Sequence, residues 1–278
     1  MGYRILSKRE LCSNQYELTV HAPNVVRNAK AGQFIIFRSE EDGERVPLTI
    51  ADVDKANEAL TIVFMAVGYS TKKLAELNVG DEIIDLVGPL GRPTEIKKYG
   101  TVVCVAGGYG AAPCYLIAKS FKEVGNKVYM IMGARTKELI FWQDKMQEAC
   151  SELFITTDDG SLGEKGLVTQ VLDRITSSEK IDYVIAVGPL PMMRAVADLT
   201  RYREIYTEAS MNPIMVDGTG MCGACRVTVG NEVKFACVDG PDFNAHLIDF
   251  DEVINRSRIY KDEEKKRSEN CNLIKMIR

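Results

Sequence analysis

Short apolar runs separated by polar turns dominate residues 1–95. The runs mix β-branched and aromatic side chains with polar neighbours, a pattern typical of half-buried strands. They cover residues 16–21, 33–37, 46–50, 59–65 and 81–87. One brief helical stretch, 70–77, lies among them. Many short strands with a single short helix predict a small antiparallel β-barrel, which ends at the Gly- and Pro-rich loop 88–93.

The pattern changes after residue 95. Continuous apolar runs, of the kind found in strands buried on both faces, now alternate with helical stretches. These runs are residues 101–106, 127–132, 153–157 and 183–187. The alternation predicts a doubly wound parallel α/β sheet over residues 96–210. A cysteine-bearing subdomain over 211–250 and a charged segment over 251–278 complete the chain. The charges at 261–269 fit a solvated tail or a partner-facing helix.

Composition narrows the class of protein. Hydrophobic residues make up 46% and charged residues 27% of the chain, which is typical of a globular protein. The length of 278 residues suits two domains and a short additional segment. The net charge is −4 and the basic residues are scattered, so we expect no nucleic-acid partner. Residues 3–19 are interrupted by charges and no apolar run has the length of a membrane helix. We therefore expect a soluble cytoplasmic protein with no membrane partner.

Three of the eight cysteines are clustered, and their spacing indicates a metal site. Cys222, Cys225 and Cys237 lie within sixteen residues of one another, and a disulfide framework is not expected in a reducing compartment. With Asp217 in the first position the spacing becomes C-x4-C-x2-C…C, that of plant-type [2Fe–2S] sites. The glycines of this loop supply the backbone freedom that such a cluster needs. We predict these four residues as its ligands.

Other interpretations of the cysteines remain open. A structural zinc site with three cysteines and Asp217 is one of them, but zinc ribbons usually bring two separated C-x2-C pairs and only one is present here. Asp217 also fits a residue that merely caps a turn. Cys271, a water molecule or a partner residue are alternatives to Asp217 as fourth ligand, although Cys271 lies in a distant charged segment.

Two glycine turns follow apolar strands in the α/β region. The first, residues 107–113, opens a helix, where glycines let the backbone approach a pyrophosphate at the positive end of the helix dipole. The second, residues 188–192, lies at the same expected sheet edge. Tight packing alone also explains one such turn, and the full G-x-G-x-x-G pattern is absent. The candidate nucleotide-binding residues are Gly107, Gly108, Gly110, Ala111, Pro113, Gly188, Pro189 and Met192.

Two features of the barrel region suit a flavin. Residues 45–49 lie at the end of a barrel strand, where an arginine can neutralise a pyrophosphate and a threonine can hydrogen-bond the isoalloxazine edge. Residues 68–71 open the barrel helix and suit a second phosphate contact. Taken singly, each also fits an exposed arginine or a helix cap, so the order of all four motifs carries the information. The candidates are Arg45, Val46, Pro47, Leu48, Thr49, Gly68, Ser70 and Thr71.

In this order the motifs resemble those of the ferredoxin–NADP reductase superfamily, whose members have a flavin-binding barrel followed by a nucleotide-binding α/β domain. Residues 45–49 match its flavin strand at their two ends, while Pro47-Leu48 replaces the usual Tyr-Ser. Residues 68–71 match its flavin-phosphate turn, and residues 107–113 with 188–192 match its nicotinamide motifs. The resemblance implies FAD and NAD(H) as cofactors, with NADP(H) not excluded. Without the tyrosine, stacking on the flavin must come from elsewhere.

The cysteine region extends the resemblance over nearly the whole chain and narrows it to one branch. That branch contains the electron-transfer subunit of dihydroorotate dehydrogenase and the small subunit of NADH-dependent reduced ferredoxin:NADP oxidoreductase, some members of which are named sulfide dehydrogenase subunits. The dihydroorotate type has cysteine at the first ligand position, whereas Asp217 is associated with the second type, which we favour. Asp158 and Asp159 also resemble a loop near the nicotinamide in this branch, although an acidic pair fits a turn equally well.

The resemblance implies an oxidoreductase subunit in which hydride passes between a nicotinamide and FAD, and single electrons pass on to the [2Fe–2S] cluster. The cofactors carry this chemistry, so we predict no catalytic general base. A larger flavin and iron–sulfur subunit would bind NADP(H) and contact ferredoxin. The alternatives are a dihydroorotate dehydrogenase subunit, a stand-alone reductase of sulfur compounds or dyes, and a non-enzymatic zinc-stabilised binding module.

A few other reactive side chains have simpler interpretations. His21 and His246 are expected to be structural, and Cys104 and Cys114 fit packed thiols, because buried cysteine behaves as a small hydrophobe. Arg135 follows the second strand of the α/β region, where a 2′-phosphate could be bound, but it also fits a solvated strand end. The sequence therefore does not decide between NAD and NADP.

Overall fold

The computed structural model of the protein describes residues 2–260 and 262–266. It contains an antiparallel, nearly closed barrel sheet, a parallel sheet with helices, and a C-terminal cysteine-bearing region, which confirms the predicted architecture. Cys271 and positions 261 and 267–269 of the charged segment at 261–269 lie outside the described residues. Within the described part of the chain, no helix combines the length and the apolar character that a membrane span requires.

The barrel sheet has seven strands in the order β6-β1-β2-β5-β4-β3-β7. Its strands are β1 (Tyr3–Cys12), β2 (Gln15–His21), β3 (Phe34–Arg38), β4 (Val46–Asp54), β5 (Ala59–Met65), β6 (Glu82–Ile83) and β7 (Asp85–Leu90). Two short helices, α1 (Pro23–Val26) and α2 (Tyr69–Glu76), connect them. In β2 burial alternates from Glu17 to His21, with Leu18 and Val20 inside and the polar residues between them more exposed, as the period-2 pattern requires, while Gln15 at the start of the strand is buried.

The second sheet is parallel and has the order β11-β10-β9-β8-β12-β13. Its strands are β8 (Thr101–Gly107), β9 (Lys127–Ala134), β10 (Glu152–Thr157), β11 (Glu164–Lys165), β12 (Tyr183–Val187) and β13 (Thr207–Ser210). Its helices are α3 (Ala111–Glu123), α4 (Gln143–Ala149), α5 (Val168–Ser178) and α6 (Leu190–Tyr202). The strand order reverses between β8 and β12, and ligands of such sheets bind at the carboxyl ends of the strands at this switch point.

A strand from the C-terminal region extends this sheet. The region contains the hairpin β14 (Arg226–Val229) and β15 (Glu232–Phe235), then β16 (Asp242–Asn244) and α7 (Phe250–Arg256). β16 pairs antiparallel with β13. The boundary expected at residue 210 thus separates two sequence regions whose strands share one sheet.

The buried core lies on both faces of the parallel sheet. On one face α3 packs between the sheet and β4, so that the barrel interior and this face form one continuous apolar cluster. On the other face the apolar cluster beneath α5 and α6 continues into the cysteine region. Because of this packing, the helix that follows the first glycine turn rests directly on the strand expected to hold a flavin.

One buried side chain ties the start of the parallel sheet to α3. The Asn126 Oδ1 accepts hydrogen bonds from the backbone N–H groups of Tyr99 (2.7 Å) and Gly100 (3.0 Å). Its Nδ2 donates to the carbonyl oxygens of Lys97 and Phe121, each at 2.9 Å. Asn126 is only 6% exposed, so its removal would leave several backbone groups without partners in a dry environment.

Asn126→Ala is therefore expected to lower the free energy of unfolding by about 2–3 kcal/mol, since buried groups that lose their partners cost about 1–3 kcal/mol. Urea denaturation followed by circular dichroism measures the change. Asn57→Ala, in an exposed turn where Asn57 bonds Asp54, is the matched control and should cost well under about 1 kcal/mol. Equal effects of the two substitutions would contradict the structural role of Asn126.

Candidate functional site

The two glycine turns meet at the switch point. A Cβ atom on Gly107 would lie 2.4 Å from Met192 Sδ and 2.9 Å from Pro189 Cδ, and one on Gly188 would lie 3.0 Å from Gly107 Cα. A Cβ on Gly110 would lie 2.3 Å from the Val187 carbonyl oxygen. Real side chains cannot approach so closely, so these glycines allow the turns after β8 and β12 to touch.

Gly108 differs from its neighbours in the first turn. Its φ of +55° lies in the left-handed region, and a Cβ added there would meet no atom within 4 Å. The helix α3 begins directly after this turn, at Ala111. The open backbone at Gly108 and the adjacent helix N-terminus form a surface that a phosphate group can approach closely.

A cleft separates the barrel from the two glycine turns. Its cavity of about 80 Å³ is bounded by Pro47 and Thr49 on the barrel side and by Gly110, Pro113 and Gly188 on the other. The predicted flavin strand and both predicted nucleotide turns therefore face one cavity. Val46 and Leu48, also on β4, instead pack against the barrel core.

Two residues of the cleft were not predicted from the sequence. Tyr109 and Asn212 both line the cavity, and Asn212 Nδ2 donates a hydrogen bond to the Tyr109 hydroxyl at 3.2 Å. Burial raises the pKa of Tyr109, so the phenol is neutral at physiological pH. The contact joins the first glycine turn to the beginning of the cysteine region. Tyr109 lies inside the glycine turn 107–113 but was not singled out there, and Asn212 belongs to no motif.

The start of α2 is capped and faces an acidic loop. The Thr71 hydroxyl accepts from the Gly68 N–H at 3.1 Å, which closes a capping interaction at the helix N-terminus. The Ser70 hydroxyl donates to Glu44 Oε2 at 3.2 Å, and the Tyr69 hydroxyl donates to Glu40 Oε1 at 3.0 Å. The residues predicted to contact a flavin phosphate are thus grouped at one helix end, and in this structure carboxylates contact two of the neighbouring hydroxyls.

Asp158 and Asp159 lie away from the cleft. They follow β10, which is separated from β8 by β9. Asp159 Oδ1 accepts hydrogen bonds from the N–H (3.0 Å) and the hydroxyl (2.6 Å) of Ser161, and these bonds lower the pKa of Asp159. The backbone N–H of Asp159 bonds the carbonyl of Arg135 at the end of β9. This geometry is that of a turn, and Arg135 itself is exposed.

The loop that carries the clustered cysteines is organised around Asp217. Its carboxylate accepts hydrogen bonds from the backbone N–H groups of Thr219 (3.0 Å), Met221 (3.1 Å) and Cys222 (3.0 Å). The bonds from Thr219, the largest cause, and from Cys222 lower the pKa of Asp217 to about 2, and the Cys222 thiol adds a further hydrogen bond. Asp217 is therefore ionised at physiological pH and lies beside Cys222, which is exposed.

Cys225 and Cys237 form a second pair. Their Sγ atoms are 3.2 Å apart, beyond the length of a disulfide bond, and both residues are buried. Burial, with the neighbouring Cys225 thiol, raises the pKa of Cys237 to about 12, while a hydrogen bond from the Gly220 backbone lowers it. The four predicted ligands thus lie in one region as two pairs, Asp217 with Cys222 and Cys225 with Cys237.

Glycines let this loop pack against the barrel. Gly218, Gly220 and Gly223 have φ values of +78°, +83° and +67°. A Cβ on Gly218 would lie 2.7 Å from the side chains of both Ile36 and Leu90, which belong to the barrel sheet. The cysteine loop therefore contacts the barrel through backbone, at a distance that a side chain would prevent.

The donor set fits a two-iron cluster better than a single metal ion. Among residues 2–260 and 262–266, no group of three His, Cys, Asp or Glu side chains is arranged to hold one ion. A tetrahedral zinc ion would need four donors around one point, whereas each iron of a [2Fe–2S] cluster takes two protein ligands. Three thiols and a carboxylate in two pairs have the chemistry for the second arrangement.

The two histidines and the cysteines Cys104 and Cys114 lie outside the cleft and the cysteine loop, among residues that they pack against or hydrogen-bond. His21 lies 3.3 Å from Glu58 on the barrel surface, and His246 Nε2 lies 3.0 Å from the Thr200 hydroxyl. Burial lowers the pKa of His246, so it is mostly neutral. Cys104 and Cys114 are fully buried, which confirms the prediction of packed thiols.

Family comparisons agree with this geometry. Residues 104–198 match the family described as the oxidoreductase NAD-binding domain, and residues 212–249 match the iron–sulfur cluster binding domain of dihydroorotate dehydrogenase B. The chain is 44% identical to a Thermotoga maritima protein named as a homologue of the dihydroorotate dehydrogenase B (NAD(+)) electron transfer subunit, over 94% of this chain and 92% of the relative. The dihydroorotate dehydrogenase B (NAD(+)) electron transfer subunit of Shouchella clausii is 34% identical to the chain. The match covers 86% of this chain and 94% of that protein.

A solved structure gives a similar result. A chain from an NADH-dependent reduced ferredoxin-NADP oxidoreductase, described in connection with flavin-based electron bifurcation, superposes with a TM-score of 0.93. It is 42% identical, and the match covers 97% of this chain and 98% of that one. The superposition includes the barrel, the parallel sheet and the cysteine region, since it spans nearly the whole length of both chains.

The fold and the site define an NAD(P)H-linked oxidoreductase subunit with an NAD-binding domain and an iron–sulfur domain. Within this class the chain belongs to the family of dihydroorotate dehydrogenase B electron-transfer subunits and their homologues. The predicted resemblance is thereby confirmed. The comparisons also support the expected cofactor set of FAD, an iron–sulfur cluster and NAD(H).

Beside the cleft, the carboxyl group of Asp242 is buried where the barrel, the parallel sheet and the C-terminal region meet. Its Oδ2 accepts a hydrogen bond from the Thr94 hydroxyl at 2.6 Å, and Ser210 supplies a second hydrogen bond. Its Oδ1 has no hydrogen-bond partner among the described residues. Burial outweighs these bonds and raises the pKa of Asp242 to about 6, because the charged form is poorly solvated there.

This raised pKa predicts a pH dependence of stability. Between the unfolded pKa of 3.8 and about 6 the folded protein binds a proton that the unfolded chain has lost, so stability falls as pH rises through this range. Relative to Asp242→Asn, the wild type should lose about 2–3 kcal/mol between pH 4 and pH 7, at about 1.4 kcal/mol for each unit of pKa difference. Urea denaturation of both proteins across this range measures the difference.

Asp54→Asn serves as the control for this prediction. Hydrogen bonds from Asn57 lower the pKa of the exposed Asp54 from its ordinary value of 3.8, so this carboxyl is ionised in the folded protein throughout the range and in the unfolded chain above about pH 5. The stability difference between wild type and Asp54→Asn should therefore be flat above about pH 5 and change only slightly, in the opposite direction, below it. A similarly flat difference for Asp242→Asn would show that Asp242 does not titrate in this range.

Proposed function

We propose that the chain is the small, NAD(H)-binding electron-transfer subunit of an NADH-dependent reduced ferredoxin:NADP oxidoreductase. In this role it passes electrons between NAD(H) and a larger flavin and iron–sulfur subunit through FAD and a [2Fe–2S] cluster. The observation that carries the proposal is the loop from Asp217 to Cys225, which lies directly against the barrel that bears the flavin strand. The proposed nucleotide cleft thus borders the flavin strand, and the flavin strand belongs to the barrel that contacts the cluster loop.

The flavin is proposed to lie along β4 and at the start of α2. Thr49 and Pro47 line the cleft and are proposed to contact the isoalloxazine edge. Gly68, Ser70 and Thr71 are proposed to face its phosphates, because the helix N-terminus favours negative charge. Glu44 would then have to release the Ser70 hydroxyl.

The nicotinamide nucleotide is proposed to bind at the switch point. The open backbone of Gly108 and the start of α3 suit its pyrophosphate. Gly110, Pro113 and Gly188 line the cavity opposite Thr49 and would hold the nicotinamide against the flavin. Gly107, Pro189 and Met192 support this arrangement through the packing of the two turns.

When bound, FAD and the cluster supply the exchange between a two-electron hydride and single electrons, and the chain's own residues bind and orient them. The cavity lining contains no carboxylate and no imidazole within the described part of the chain. Its only ionisable side chain, Tyr109, is kept neutral by burial. The residues therefore act by positioning the reacting groups and excluding water, and no side chain is needed to move a proton.

Asp217, Cys222, Cys225 and Cys237 are proposed as the cluster ligands. Hydrogen bonds from Thr219 and Cys222 lower the pKa of the Asp217 carboxyl and keep it ionised, which is the form that binds iron. The two pairs would each serve one iron. The exposure of Cys222 places one pair near the protein surface, where an electron can pass to a partner subunit.

A second candidate function is that of the electron-transfer subunit of dihydroorotate dehydrogenase B. The match of residues 212–249 to its iron–sulfur domain and the names of the relatives favour it. We favour the first function because the resemblance associates an aspartate at the first ligand position with that enzyme. The identity of the partner subunit distinguishes the two.

Asp217→Ala should lose or destabilise the cluster while FAD content and dye-linked NADH oxidation survive. The substitution removes one proposed cluster ligand and keeps the three cysteines. The backbone N–H groups of Thr219 and Met221 would also lose the carboxylate that accepts their hydrogen bonds. Iron content and electron paramagnetic resonance of the reduced protein measure the effect. Glu232→Ala, which removes an exposed carboxylate of the same region, is the control. An unchanged cluster signal in Asp217→Ala would exclude Asp217 as a ligand.

Anaerobic purification of the native protein from its source is expected to yield a larger flavin and iron–sulfur subunit with this chain, identified by mass spectrometry. Co-purification of a barrel-type dihydroorotate dehydrogenase would instead support the second function. The absence of any companion would favour a stand-alone reductase. A colourless chain that contains zinc and no flavin would refute the oxidoreductase proposal altogether.

A further inference from the structure

Arg45 connects the flavin strand to the cysteine loop. Its Nε donates a hydrogen bond to the Val216 carbonyl oxygen at 2.9 Å, and its Nη2 lies 3.4 Å from the Asp217 carbonyl oxygen. The arginine immediately precedes β4, while the two carbonyls belong to the first residues of the loop, more than 170 positions later in the chain. One side chain of the barrel thus contacts the backbone of the first proposed ligand.

We propose that Arg45 is a positioning residue for the cluster, which holds the start of the cluster loop on the flavin strand. This inference deepens the proposed function and rests on it. It differs from the interpretation of the sequence, in which Arg45 neutralises a flavin pyrophosphate. The geometry favours the new role because two guanidinium nitrogens already face loop carbonyls, and a planar guanidinium positions such acceptors rigidly.

Three contacts fix the loop at this point. Arg45 contacts the carbonyls of residues 216 and 217, and Gly218 lies against the barrel side chains Ile36 and Leu90. The Asp217 carboxylate is directed back into the loop, where it accepts backbone N–H groups. The position of the first ligand is therefore set by the barrel rather than by the C-terminal region alone, and the flavin strand and the cluster keep a constant separation.

The charge of Arg45 has a second effect. Reduction adds a negative charge to an iron–sulfur cluster, and the reduction potential depends on the charges and hydrogen bonds around it. A permanent cation at the backbone of the first ligand stabilises the reduced form. Removal of this cation should therefore make the cluster harder to reduce, even where all four ligands are retained.

The test compares Arg45→Met, which removes the charge and the donors, with Arg45→Lys, which keeps the charge but loses the planar fork. The full-length variants are purified anaerobically. Iron and FAD per chain are measured, and the cluster potential is determined by redox titration followed by electron paramagnetic resonance. Arg4→Met, which removes an exposed cation from β1, is the control.

Arg45→Met is expected to retain FAD and to show a more negative cluster potential with a broadened signal, or to lose the cluster. Arg45→Lys should keep a potential closer to that of the wild type but show a similarly broadened signal. Depleted FAD with an unchanged cluster potential would overturn the inference and make Arg45 a phosphate ligand. An unchanged potential and signal with full FAD would also overturn it.

Two further observations keep the test decisive. If Arg45→Met does not fold, as judged by circular dichroism, the potential and the signal of Arg45→Lys decide by the same criteria. Failure of the proposed function itself would be seen earlier, because the wild-type protein would then lack FAD or the cluster. The two failures are therefore distinguishable.

Discussion

The close approach of two backbones at the switch point underlies the rest of the site. The turns after β8 and β12 touch through Gly107 and Gly188, where a single Cβ would force them apart. Their contact places the start of α3 at the mouth of the cleft, and α3 in turn packs against β4. The distance between the nucleotide turns and the barrel strand therefore depends on the absence of side chains at these two positions.

Much of the fold could be predicted because the hydrophobic pattern is strong where strands are buried. The apolar runs at 101–106 and 183–187 are the central strands β8 and β12. Because both faces of these strands are buried, their sequences are continuous apolar runs that are easily identified. β1 was not predicted, since its ten residues carry several charges and only Ile5 and Cys12 are buried. Such a strand is specified by its pairing with β2 and β6 rather than by its own pattern.

The candidate site was only partly predictable for a related reason. Spacing identified the cluster loop and the glycine turns, because their function requires particular residues at particular intervals along the chain. The contacts of Arg45 with the loop and of Tyr109 with Asn212 join residues that are far apart in sequence. The hydrophobic pattern of the sequence cannot predict contacts between such distant residues. The motif that predicts a flavin contact for Arg45 likewise does not predict its contact with the cysteine loop. Asp158 and Asp159 follow the carboxyl end of β10, which is two strands away from β8, and their place near the nicotinamide stays a prediction.

The C-terminal region is joined to the nucleotide-binding sheet by β16, which pairs with β13. A chain cut after β13 would lose more than its metal-binding residues. It would expose the hydrogen-bonding edge of β13, and unpaired strand edges promote association between molecules. In the intact chain β16 covers this edge, so the iron–sulfur region also protects the sheet against such association.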